Sequence, residues 1–325
     1  MAAKSAEQDD LTSRQMTVTR VVDAPRELVF DVFTDPAHVS NWWGPNGFSI
    51  TTDEMKVRPG GVWRFVMHGP DGTDYSNVIQ YKEIVRPERI VFGHGDNEQS
   101  TSCHWHTTVT FEPVGRKTRV TLTLLFPTAA QRDAVATASA VEGGEQTLER
   151  FETEVAFAAA RGRGETPFTI TRVFNAPREA VWAAHSDAKA LAQWWGPKGW
   201  TIRVENLAFK PGGMFHYVMT SKVAPEMWGR FIYRELVAPR RIVFVSSFSD
   251  PEAGVARSPF PMDWPLAVLN VVTLDDEAGR TRLTLTSTPL EATAEQRLVF
   301  AQMFMSMTQG FGGTYDQLAE FLTQV

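Results

Sequence analysis

Thr17-Val18-Thr19-Arg20-Val21, Ala24-Pro25-Arg26-Glu27 and Trp42-Trp43-Gly44-Pro45 are each written twice in this chain. They return as Thr169-Ile170-Thr171-Arg172-Val173, Ala176-Pro177-Arg178-Glu179 and Trp194-Trp195-Gly196-Pro197, always 152 residues later. Pro59-Gly60-Gly61 and Arg89-Ile90-Val91-Phe92 keep the same offset, as Pro211-Gly212-Gly213 and Arg241-Ile242-Val243-Phe244. Residues 17–92 align with 169–244 without a gap and share 29 identities in 76 pairs. Thr118-Arg119-Val120-Thr121-Leu122 then matches Thr281-Arg282-Leu283-Thr284-Leu285 at an offset of 163. The second copy therefore carries 11 extra residues, placed in the Ser-, Pro- and Gly-rich stretch Ser246 to Asp263. A period this long belongs to whole domains rather than to a solenoid. The expected division is a polar leader at 1–14, a first domain at 15–160, a linker at 161–167 and a second domain at 168–325.

Within a copy, Thr17 to Val22 is a β-rich run before a turn. Pro25 and Glu27 then open a helix, proline where its missing N–H costs nothing and glutamate at the positive end of the dipole. Leu28, Val29, Val32 and Phe33 give that helix its apolar face. A second short helix reaches Trp43 and stops at Gly44-Pro45. Strand patterns follow, separated by Pro-Gly-Gly and Gly-Pro-Asp-Gly turns. Alternation puts Trp63, Phe65 and Met67 on one face, and likewise Trp105, Thr107, Val109 and Phe111. A long helix closes the copy, its buried stripe Leu148, Phe151, Val155 and Ala158 in the first and Tyr315, Leu318, Phe321 and Leu322 in the second. The fold class expected is α+β: a curved antiparallel sheet gripping one long C-terminal helix, with two short helices after the first strand.

The 325 residues include 32 Lys+Arg and 38 Asp+Glu, a net charge of -6. Neither half has a basic excess, which argues against a nucleic-acid or anionic-membrane surface. Cys103 is the only cysteine, so no internal disulfide can form, and a reducing, cytoplasmic setting is expected. No apolar run approaches the length of a membrane span, and residues 1–10 lack the apolar stretch of a signal peptide.

Ala-Pro-Arg-Glu, Trp-Trp-Gly-Pro, Pro-Gly-Gly-x-[Trp/Phe], Tyr-x-Glu, Pro-x-Arg-Ile-Val-Phe and Thr-Arg-[Val/Leu]-Thr-Leu, in that order, resemble the START-like helix-grip superfamily. The likeness is to its bacterial branch named after the activator of the heat-shock-protein-90 ATPase, and it covers nearly the whole chain twice. It implies two tandem helix-grip domains. It leaves function open, because the superfamily includes lipid binders, polyketide cyclases, co-chaperone domains and an enediyne self-resistance protein. Relatives often carry Gly-Trp in the last helix; the corresponding positions are read here as Gly143-Gly144 and Gly312-Gly313.

Ten tryptophans against five tyrosines raise the question of whether the rings fill a core or line a pocket. Inward positions and the Trp pairs nominate Trp42, Trp43, Trp63, Phe65, Met67, Tyr81, Trp105 and Thr107 in the first copy as ligand-binding. In the second copy the nominated residues are Trp194, Trp195, Phe215, Tyr217, Met219, Trp228, Tyr233 and Asn270, with Trp228 standing where the first copy has Ser76. One ring of each Trp pair is expected to be architectural. Trp105 and Thr107 become Val268 and Asn270 in the second copy, so the two pockets should differ, and an inward Asn270 needs a partner. Copy-specific rings, including Trp228 and Trp264, are where specificity is expected.

His104 and His106 share a strand face, but Ala267 and Leu269 replace them, so no metal is expected. Cys103 reads as a small buried filler and no nucleophile elbow is present. Glu83 and Glu235, on matched strands after Tyr81 and Tyr233, read as solvent-facing, the other reading being acid–base work by carboxylate and phenol inside a dry pocket. No cofactor and no catalytic residue are assigned. The leading expectation is non-enzymatic binding of a small hydrophobic or aromatic molecule, including sequestration of, or self-resistance to, a polyketide-type product. The alternatives are a co-chaperone-like interaction module, with heat-shock-protein-90 as partner, and a cyclase-, aromatase- or hydrolase-like enzyme. The two domains could also pack as a pseudo-dimer.

Overall fold

A computed structural model describes residues 11–95, 104–137, 140–222 and 225–324. The leader at 1–10 and Cys103 lie outside the described residues. The chain divides into two compact units, with the break between Arg163 and Gly164. Each unit has its own apolar core.

The first unit runs β1 (Gln15–Val22), α1 (Arg26–Thr34), α2 (Pro36–Trp42) and β2 (Ser49–Met55). It continues with β3 (Val62–His68), β4 (Asp74–Val85), β5 (Arg89–Gly95), β6 (Trp105–Val114) and β7 (Lys117–Leu125). It ends on α3 (Ala129–Thr137) and α4 (Ala140–Gly162). The sheet is antiparallel with strand order β1-β7-β6-β5-β4-β3-β2.

The second unit repeats this as β8 (Phe168–Phe174), α5 (Arg178–Ser186), α6 (Ala188–Trp194), β9 (Thr201–Leu207) and β10 (Met214–Thr220). Then follow β11 (Met227–Val237), β12 (Arg241–Phe248), β13 (Ala267–Glu277) and β14 (Arg280–Leu290), and finally α7 (Ala294–Gln302) and α8 (Phe304–Leu322). Its strand order, β8-β14-β13-β12-β11-β10-β9, reproduces that of the first.

Local chemistry explains where the short helices stop. Asp35 and Asp187 accept hydrogen bonds from Ala37 N and Ala190 N, capping α2 and α6. Gly44 and Gly196 follow at φ +100° and +112°, a backbone region open to glycine and costly for other residues. These turns aim the Trp pairs inward. Trp42 and Trp194 are fully buried, and their indole N–H groups donate to Val32 O at 3.2 Å and Ala184 O at 2.9 Å. One ring of each pair is thus an anchor between the two short helices.

The long helices α4 and α8 pack on β1 and β8 and on the short helices. Leu148, Phe151, Val155 and Ala158 are buried, as are Tyr315 and Leu318, while Phe321 and Leu322 are half-buried against the core. The contacts fix the register between the two helices. Arg20 pairs with Glu149 and Glu152, and Arg172 with Asp316. Arg150 donates to Gly44 O at 2.7 Å, and Gln317 to Gly196 O at 2.5 Å. Glu149 therefore matches Asp316, and Arg150 matches Gln317. On that register Gly143-Gly144 corresponds to Gly310-Phe311, which corrects the expected Gly312-Gly313. The second helix keeps a ring where the first has Gly144.

Candidate functional site

The second unit encloses a cavity of about 190 Å³ between its sheet and α8. Trp195 and Phe311 wall it from the helical side, and Tyr217, Phe231, Phe244, Val268 and Asn270 from the sheet. Trp264, from the loop before β13, and Met307 complete the rim, and Trp264 packs on Phe300 at 5.3 Å. A smaller chamber of about 20 Å³ lies deeper. Trp195, Phe231, Phe244 and Phe311 border both spaces.

The cavity follows from substitutions between the copies. In the first unit Trp63 stacks on Phe65 at 4.2 Å and meets Trp43 at 4.8 Å. Trp105 fills between His94 and Phe126. The strand registers place Phe215 at the position of Trp63 and Val268 at that of Trp105. Val268 borders the outer cavity and Phe215 the deep chamber, so each space lies beside a position where the first copy carries an indole, and a packed core relaxes only in part around a missing group.

The wall is apolar with one polar cluster. Asn270 Nδ2 donates to Ser246 Oγ at 2.9 Å and to Val268 O at 2.8 Å, while Ser287 Oγ donates to Asn270 Oδ1 at 2.7 Å. Asn270 therefore has protein partners, and Ser246 keeps its hydroxyl hydrogen free to turn toward the cavity it lines. Tyr217 stacks on Phe215 at 4.7 Å, and burial pushes its phenol up to about 12. Trp195 Nε1 is buried toward that hydroxyl but outside hydrogen-bond geometry.

Of the remaining second-copy candidates, Phe215 and Tyr233 line the deep chamber and Met219 the outer one. Burial raises the Tyr233 phenol far above its ordinary value. Trp228 borders the outer cavity, but its ring stacks on His216 at 5.2 Å and lies under the Arg203 guanidinium. Trp194 is sealed in the core and lines neither space.

In the first unit Trp42, Trp63, Phe65, Tyr81 and Thr107 are buried, and Trp43 and Met67 pack against the same core. Trp105 is half-buried. The structure brings Trp43, Trp63 and Phe65 together as mutually packed rings.

One of two expectations about charge needs revision. Glu83 is exposed and paired with Arg89, as a solvent-facing residue should be. Glu235 is only 3% exposed, bonded to Arg241 at 3.0 Å. A register shift lies between Tyr81 and Glu83 as well as between Tyr233 and Glu235, so the two glutamates share their strand geometry and differ in burial. Among the described residues no group of three metal-ligating side chains converges. No helix among them is long and apolar enough to cross a membrane.

Sequence reasoning did not nominate Phe231, Phe244, Ser246 or Met307 as lining, nor His185, Phe311 and Tyr315, which carry the deep chamber's own character. His185 stands where the first copy has Phe33, and Tyr315 where it has Leu148. Aligning the two buried helix stripes, Leu148-Phe151-Val155 on Tyr315-Leu318-Leu322, would have shown the Phe311 and Tyr315 exchanges.

The seven-stranded sheets, each gripping a long helix, define tandem helix-grip domains of α+β class. The family described as activator of Hsp90 ATPase homolog 1-like protein matches residues 23–156 and again 175–323, and the chain belongs to it. No curated protein matches the chain. Among solved structures, a protein from Arthrobacter aurescens is 25% identical, with 46% of this chain and 89% of that one covered, at a TM-score of 0.42. Protein Ms6760 from Mycobacterium smegmatis is 24% identical, covering 44% and 92%, at 0.41. The di-domain ARO/CYC BexL from the BE-7585A biosynthetic pathway is 14% identical, covering 95% and 98%, at 0.41.

Proposed function

We propose that the second domain binds a small molecule with an aromatic ring, non-covalently and without turnover. The observation that carries this reading is the ring-walled cavity beside Val268, where the first copy has Trp105, with Ser246 and Asn270 offering one polar contact. Its 190 Å³ bounds the ligand. An engineered apolar cavity of about 150 Å³ takes up benzene, so the space here admits one or two fused rings. A polyketide-type natural product would enter only by a terminal ring, with the rest outside the mouth. Sequestration is then the role, since the pocket covers the part of the ligand seated in it.

Titration of the full chain with ethylbenzene and with indane, followed by tryptophan fluorescence, tests the reading. Trp195 and Trp264 stand in the wall and report occupancy. Saturable quenching or a spectral shift is expected, and Val268→Trp, which restores the first copy's ring, should abolish it while the protein still melts cooperatively. An unresponsive wild type, or an unaffected Val268→Trp, removes the reading.

A further inference from the structure

The deep chamber differs chemically from the outer cavity. His185 lines it, and its Nδ1 lies 2.8 Å from Val181 O, so Nδ1 carries the hydrogen and Nε2 the lone pair. Among the described residues Nε2 has no hydrogen-bond partner. The hydroxyls of Tyr233 and Tyr315, which line the same chamber, have none either among the described residues. Burial pushes the imidazole down to about 4, so it is neutral at physiological pH and acts as an acceptor. The matching first-copy residues Phe33 and Leu148 are apolar while Tyr81 matches Tyr233, so the imidazole and the Tyr315 phenol are particular to the second domain. Buried polar groups are ordinarily satisfied, and a set of them in an otherwise apolar chamber calls for a polar guest.

The chamber volume, about 20 Å³, suits one oxygen atom with its hydrogen and little else. It shares four aromatic walls with the outer cavity, so a ring seated outside would have its edge directed between them. We propose that the ligand is a phenol: its ring occupies the outer cavity and its hydroxyl enters the deep chamber, donating to His185 Nε2 and accepting from a tyrosine hydroxyl. This rests on the cavity reading above and names the ligand class for it. Ser246 and Asn270 then serve a second substituent on the ring rather than the hydroxyl.

The experiment compares 4-ethylphenol, 4-ethylanisole and ethylbenzene by calorimetry on the full chain. The phenol should bind about tenfold more tightly than ethylbenzene, one well-placed hydrogen bond to a buried acceptor. 4-Ethylanisole should lose that advantage, because its oxygen cannot donate. In His185→Phe, which installs the first domain's own residue, the ratio of phenol to arene affinity should fall to near one. A wild-type measurement guards against a variant that fails to fold. Phenol should move the His185 Nε2 nitrogen resonance, and ethylbenzene should leave it in place.

Arene and phenol binding equally, or a phenol preference surviving His185→Phe, overturns this proposal while leaving the cavity reading intact. Binding of none of the three overturns both.

Discussion

His185 is where one residue couples stability to pH. Its imidazole titrates near 6.5 in the unfolded chain and at about 4 in the folded one, because burial disfavours the cation. Above the unfolded value both states are neutral and the full stability is present. As pH falls below it the unfolded state binds a proton that the folded state refuses, and stability is lost until the pH reaches about 4. The loss approaches 3 kcal/mol over that window. Denaturant melts at pH 7 and pH 4.5 should show it, and His185→Phe should flatten the slope; an unchanged slope would mean that His185 charges freely in the fold. Gly229 poses a second residue-scale test. A Cβ there would stand 2.6 Å from Cζ and the hydroxyl oxygen of buried Tyr217. Gly229→Ala should cost about 1–3 kcal/mol, and Tyr217→Phe in the same chain should recover part of it. The first copy pairs Asn77 with Phe65 at these positions, so glycine here accompanies the hydroxyl. A single mutant as stable as wild type in urea would discard that account.

The long helices show what a sequence pattern carries and what it omits. Their buried stripes were legible from 3.6-residue spacing, and so were the strand faces carrying Trp63, Phe65 and Tyr217. Which rings pack solid and which border a void was not legible. That depends on volumes summed across β3, β6, α1 and α4, and on equivalents elsewhere in the second domain, which no single strand reports. The burial of Glu235 was not legible either, since the same local geometry leaves Glu83 open to solvent in the first copy. The helix glycines sharpen the point. Gly312 in α8 has open space where a Cβ would stand, so Gly312→Ala should stabilise the protein by about 0.5–1 kcal/mol through helix propensity alone. Gly144 in α4 would bring its Cβ to 3.0 Å from Val18 Cγ2, on a stiff, buried, β-branched side chain. Gly144→Ala should therefore gain nothing by itself and recover the propensity term only with Val18→Ala. Thermal melts of the four variants decide this, and a stabilised Gly144→Ala single mutant would show that β1 yields at Val18.

At the scale of the molecule, duplication has written one fold twice with different side chains on its inner faces. Both units keep the same strand order, the same buried Trp anchor and the same glycine turn after it. They differ where Trp63, Trp105, Phe33 and Leu148 give way to Phe215, Val268, His185 and Tyr315. The first set packs aromatic and aliphatic mass into a core; the second opens space and places polar atoms in it. A domain that carries a void gives up packing stability, and the second unit offsets this with an extensive core of its own. A chain of about 160 residues buries enough surface to fold by itself. Residues 164–325 produced alone should accordingly melt cooperatively and bind 4-ethylphenol with the affinity of the full chain. Residues 1–163 should show no affinity for it, because Trp63 and Trp105 occupy the positions that Phe215 and Val268 leave open. Introducing Trp63→Phe, Trp105→Val and Phe33→His together into the full chain should then create a second site. Calorimetric stoichiometry would rise from one ligand per chain toward two. A stoichiometry that stays at one would mean that these exchanges do not make the cavity, and that the distinction lies in the helix register or in the loop before β13.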